Sequence, residues 1–241
     1  MAIKTVCIHQ GEYWPLPRLL AKWAAADLLI VLDIAQFDRS SLQHRARLQS
    51  RFDHAGRWLT IPFAHLGSPQ QIRVLEPVER HWAMHHWSRL REWYRGADPG
   101  RLAEIEAWFV QQDADHGQAI STYALESMRW LATVIGIDTP YVLASALIPP
   151  PGGWGGKSDL VLNLCKSVGA GVYLSGVRGA SYLDWTAFER AGLSIEVQAY
   201  RQVVGEPELS ALHTYLEQGI EPLRDLVSRK SLTEPATPED A

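Results

Sequence analysis

Two short apolar runs, Thr5-Val-Cys-Ile8 and Leu28-Leu-Ile-Val-Leu32, restrict what this chain can fold into more than any other feature. Runs of that length without polar alternation read as strands buried on both faces, the mark of a parallel sheet. Between them, Leu16, Leu19, Leu20 and Trp23 recur at helical spacing over residues 15–26, with the prolines kept to the first turn, where a missing N–H costs nothing. Strand, helix and strand within about 30 residues make a βαβ unit. A second unit follows later. It consists of Tyr141-Val-Leu-Ala144, a helix over 158–168 ended by Gly169, and Val172-Tyr-Leu174.

The stretch from 36 to 57 is polar and rich in Gln, His and Arg, and strand-like pieces are expected at 58–63 and 72–75. Helical spacing then covers 79–95, 100–112 and 118–135, where Gly136 supplies a C-cap. A short helix over 184–191, a strand over 193–200 and an amphipathic helix over 207–229 complete the pattern. The expected organisation is a first βαβ half with a basic loop (1–76), a helical insertion or lid (77–138), a second half (139–202), a C-terminal helix (203–230) and an unstructured tail (231–241). The expected fold is α/β, a mostly parallel Rossmann-like sheet carrying a helical insertion.

Composition removes several function classes. Twenty-three Lys and Arg against 27 Asp and Glu leave a net charge of -4, which argues against a general nucleic-acid binder. Two cysteines, Cys7 and Cys165, cannot staple a fold, and both lie in apolar runs where a thiol is packing material and a poor nucleophile. No apolar run reaches the roughly 18 residues of a membrane span, and no signal peptide is read at the start, so the expected location is the cytoplasm.

Ligands of parallel α/β sheets bind beyond the carboxyl ends of the strands. His9 and Gln10 fall at the end of the first strand, Asp33 and Gln36 at the end of the second, and Ser175, Gly176 and Gly179 at the end of a later one. Together they offer a proton-transfer group, a carboxylate to orient it and backbone donors for an anion, so His9, Asp33 and Gln36 are the catalytic candidates. The structural alternative is that His9 is satisfied by backbone groups and that Asp33 caps a turn. Glu12 and Tyr13 adjoin His9, while Trp14 and Trp154 lie in loops where they can stack on a ligand. Arg45 and Arg47, two apart in the basic loop, share one side if extended and suit a phosphate or carboxylate. Lys157 and Ser158 open a helix and can bind an anion there, although Pro151 stands where the first glycine of a phosphate-binding loop belongs. His81 and His85 are four apart, as metal-ligating pairs often are, yet no carboxylate sits between them, and no metal is expected at the His81, His85, His86 cluster.

The motifs carry a resemblance. Cys7-Ile-His-Gln-Gly-Glu-Tyr-Trp-Pro15, Asp33-Ile-Ala-Gln-Phe37 and His44-Arg-Ala-Arg47 resemble the WbqC-like protein family, whose pattern runs His-Gln-Pro-x-Tyr, Asp-x-x-Gln-Phe and Asn-Arg-x-Arg. The second half agrees, with Gly136-Ile-Asp-Thr-Pro140, Leu164 to Gly176, Gly179 and Tyr182-Leu-Asp184. Gly11 stands for the expected Pro, Glu12 for Asn, and His44 and Ala46 where Asn is usual. The resemblance implies a biosynthetic transferase that moves an acyl or aminoacyl group to an amino-sugar or amino-acid-derived substrate, in polysaccharide or specialised-metabolite biosynthesis. Tyr182 joins the substrate side on the same ground. The partners implied are a small molecule with an anionic group, an aminoacyl-tRNA or carrier-bound donor, and a second copy of the chain.

Two other readings stand beside it. A His at the first strand end, followed by Gly and a helix, is similar to the nucleotidyltransferase and aminoacyl-tRNA synthetase type of domain, which implies ATP or another nucleotide over that helix. No second His stands in the expected place. The third reading is a non-catalytic binding or scaffold subunit, whose surface would come from Trp82, Trp87, Trp93, Trp108 and Trp130.

Overall fold

A computed structural model describes residues 4–50, 53–64, 70–198, 208–230 and 233–235. The elements in chain order are β1 (Thr5–His9), α1 (Pro17–Ala24), β2 (Leu28–Val31), β3 (Arg45–Ser50), β4 (Asp53–Thr60), α2 (Trp82–Trp93), α3 (Pro99–Ala114), α4 (Ile120–Ile135), β5 (Tyr141–Leu143), α5 (Ser158–Ser167), β6 (Val172–Ser175), α6 (Val177–Ala180), α7 (Trp185–Arg190), β7 (Ser194–Gln198), α8 (Ala211–Gln218), α9 (Ile220–Lys230) and β8 (Thr233–Pro235). The main sheet runs β5-β2-β1-β6-β7-β8. Its first five strands are parallel, and only β8 joins antiparallel. This is a Rossmann-like α/β fold, and its winding reverses between β1 and β6, where two neighbouring crossovers leave in opposite directions and open a crevice.

Strand parity divides the core. Cys7, Leu29 and Val31 pack with α1 and with the helices of residues 82–135 on one face. Val6, Ile8, Leu28 and Ile30 pack with α5 and Phe188 on the other. Helices α2, α3 and α4 therefore share one continuous core with the sheet through Trp82, Trp108, Phe109 and Met128. In the described residues no helix is long and apolar enough to cross a membrane.

Several elements differ from the sequence expectation. Residues 72–74 form a 3-10 turn and not a strand, with Ile72 and Leu75 buried three residues apart and Val74 54% exposed between them. The polar stretch holds a strand, β3, paired antiparallel to β4 with a register shift between Leu48 and Ser50. Ala46, Leu48 and Ser50 face inward while Arg45, Arg47 and Gln49 are half-buried. The final helix is two, because Gly219 at φ +97° breaks it. The expected strand end at Tyr200, the helix start at Pro207 and most of the tail lie outside the described residues, while Thr233–Pro235 adds an edge strand.

Candidate functional site

At the switch between β1 and β6, and reaching β7, lies a cavity of about 470 Å³. Its wall is drawn from the end of β1 (Ile8, His9, Gln10), one face of α1 (Arg18, Leu19, Lys22), the β6–α6 turn with Tyr182, and Gln198 at the end of β7. The parity that places Cys7 under α1 places His9 there too. Proton positions at His9 follow from its neighbours. Nδ1 lies 2.8 Å from the Gln10 carbonyl oxygen, which only accepts, so Nδ1 carries the hydrogen and Nε2 keeps its lone pair. Nε2 lies 3.8 Å from Glu12 Oε1, beyond hydrogen-bond distance. Burial, and then the positive charges of Lys22 and Arg18, hold the imidazole pKa well below the usual histidine range. His9 is a neutral base.

Glu12 is buried, and burial raises its pKa against the pull of Arg18 and of the Leu16 N–H. That N–H donates to Glu12 Oε2 at 3.0 Å, so the entrance to α1 already carries one of the chain's own carboxylates. Arg18 lies 3.9 Å from Glu12 and pairs with Glu208. One turn further along α1, Lys22 is buried and donates from Nζ to the Ile8 carbonyl at 3.2 Å. Burial lowers its pKa, opposed by Cys7 and Glu12. Across the cavity, Gly179 is closely packed, because a Cβ there would stand 2.7 Å from Ser175 Oγ and one of the two would have to shift. Tyr173 and Tyr182 bring phenols to the wall, both with pKa raised by burial.

The candidates named from sequence separate into groups. His9, Gln10, Gly176, Gly179 and Tyr182 meet at this cavity, and Gln10 Oε1 is fixed by Gln43 Nε2 at 2.7 Å. Glu12 stands behind His9, and Ser175 is buried below the turn, donating to the Gly176 carbonyl. Asp33 lies elsewhere. It accepts from the Ser145 N–H at 2.9 Å and from the Ser145 hydroxyl, tying β2 to the turn after β5. Gln36 is exposed and bridges to Gln71. Tyr13 and Trp14 are in the aromatic core, where the Tyr13 hydroxyl meets His86 Nδ1 at 2.9 Å. Arg45 and Arg47 stack over Trp58 on the β3–β4 hairpin, outside the cavity wall. Lys157 is exposed, and Ser158 accepts from the Asp184 N–H. His81 pairs with Asp113 and His85 with Glu79, and the described residues hold no group of three metal-ligating side chains.

Two wall residues, Arg18 and Lys22, escape a reading based on strand ends. The signal was their spacing, since two basic residues four apart on an otherwise apolar eight-residue helix must share a face.

Comparison with known proteins bears on the whole arrangement. The model of the WbqC-like protein family matches residues 10–212. The chain belongs to the WbqC-like protein family. That match begins one residue after His9 and takes in the rest of the cavity wall past Ile8 and His9, from Gln10 through Gln198. Among curated proteins, the chain is 27% identical over 238 residues to an uncharacterized protein, Rv1507c, of Mycobacterium tuberculosis, covering 91% of this chain and 96% of that protein. No solved structure matches.

Proposed function

We propose that this WbqC-like protein is a biosynthetic transferase that forms an amide, moving an acyl or aminoacyl group onto the amine of an amino-sugar or amino-acid-derived substrate in polysaccharide or specialised-metabolite biosynthesis. The observation that supports this reading is the neutral His9, whose Nε2 has no hydrogen-bond partner among the described residues, at the wall of the switch-point cavity. In the proposed step the substrate nitrogen attacks the donor carbonyl and the C–N bond forms as the donor's C–O or C–S bond breaks. His9 Nε2 takes the proton lost by the amine and returns it to the leaving oxygen or sulfur. Gln10 and Tyr182 contact the substrate, and the Gly176 to Gly179 turn receives its far end. ATP over α1 is the weaker reading, because Glu12 already occupies that helix entrance.

The test incubates the chain with amino-sugar nucleotides and either aminoacyl-tRNA or acyl thioesters, and follows new amides by mass spectrometry. His9→Gln is expected to slow amide formation roughly 10²- to 10⁴-fold while the melting temperature stays in place. A fully active variant removes His9 from the chemistry, and with it the proposal.

A further inference from the structure

Lys22 has no ion-pair partner among the described residues, and Glu12 acts on it only from beyond ion-pair distance. Its side chain is 4% exposed, its only hydrogen-bond acceptor among the described residues is the neutral Ile8 carbonyl, and no carboxylate there comes within ion-pair distance. An ammonium held in that way keeps two N–H donors unused, at the wall of a cavity with room for a small molecule. The other basic groups that the described residues bring to the wall are already engaged: His9 is neutral, and Arg18 is held by Glu208 with Glu12 beside it. Among the described residues, one positive charge without an ion-pair partner therefore lines the cavity. A buried charge without a partner is costly, and a bound anion removes that cost at the moment of binding.

We infer that Lys22 anchors one carboxylate of the ligand, so that the cavity takes a carboxylate-bearing small molecule such as an amino acid or a sugar acid. A nucleotide triphosphate would bring several negative charges to a wall whose described residues offer one positive charge without an ion-pair partner. The inference rests on the transferase reading only for the choice of cavity and needs no catalytic step. Lys22 binds, and His9 stands beside the bound group to move a proton.

Calorimetry with N-acetylglycine and glucuronate tests it, with N-acetylglycinamide, inorganic phosphate and ATP as comparison ligands. At least one of the two carboxylates binds the wild type, the neutral amide does not, and Lys22→Met weakens that binding roughly thirtyfold or more. In the wild type the same carboxylate also slows acetylation of Lys22 by an N-hydroxysuccinimide ester, read by peptide mass spectrometry, which locates the anion without any variant. A protein that binds carboxylates but makes no amide would overturn the transferase and leave this site standing. Silence of both carboxylates, tighter binding of phosphate or ATP, equal binding of the amide, or unchanged binding in Lys22→Met would each overturn the anchor.

Discussion

At Trp14 the backbone adopts φ +46°, a left-handed angle that a bulky side chain takes only when its surroundings impose it. Ser127 Oγ accepts the Trp14 N–H at 2.8 Å, Ser210 Oγ donates to the Trp14 carbonyl at 2.7 Å, and the indole lies against Trp108 with ring centres 4.6 Å apart. The sequence reading puts this tryptophan in a loop where it can stack on a ligand. The angle turns it into the core instead, and no pattern in one sequence reports the sign of φ at a non-glycine residue. Ser127 is fully buried, so Ser127→Ala leaves the Trp14 N–H without an acceptor. The expected loss is about 1–3 kcal/mol of unfolding free energy, measured by urea denaturation, and a loss below a few tenths would mean that the serine does not hold the turn.

The elements that sequence shows best are those whose burial is regular. The strands β1, β2, β5 and β6 and the helices α2 to α5 lie within a few residues of their expected bounds, because each has an unbroken apolar run or an apolar stripe at helical spacing. Strand β3 was hidden by its own alternation, since Arg45, Arg47 and Gln49 dominate the composition while Ala46 and Leu48 carry the buried face. The site was half legible for the same kind of reason. Strand ends identify His9 and the Gly176 turn, but Lys22 and Arg18 enter from a helix whose rotation over the sheet is a tertiary fact. Helix α4 ends as its glycine suggests, with Gly136 at φ +80° and its N–H directed to the Ala132 and Thr133 carbonyls. Nothing stands within 4 Å of a Cβ built there. Gly136→Ala thus isolates the conformational cost, about 1 kcal/mol, and thermal unfolding should show the decrease without any change in ligand binding at the cavity, whose wall does not include Gly136.

On the scale of the whole molecule, one continuous core joins the sheet to the helices of residues 82–135, and histidines are buried in or beside it without charge. Burial lowers the pKa of His86 to about 3 and of His44 to about 4, and holds His9 well below 6.5. His86 is fixed as the neutral tautomer, because Nε2–H donates to the Thr60 carbonyl at 3.0 Å and Nδ1 accepts from Tyr13. Once unfolded, each of these side chains binds a proton below about pH 6.5, while the folded protein does not until its own lower pKa is reached. The unfolded state then holds more protons, so stability is full above pH 6.5 and falls with acidification, by about 1.4 kcal/mol per pH unit for each histidine involved. Glu12 acts in the opposite sense, because its raised pKa lets the folded state take up a proton first. Urea midpoints at pH 7, 6 and 5 should decline accordingly. A glutamine at position 86 can donate to Thr60 and accept from Tyr13 but cannot titrate, so His86→Gln should make the decline shallower by nearly one proton's worth. An unchanged slope in that variant would show that His86 is not among the groups through which acid unfolds the protein.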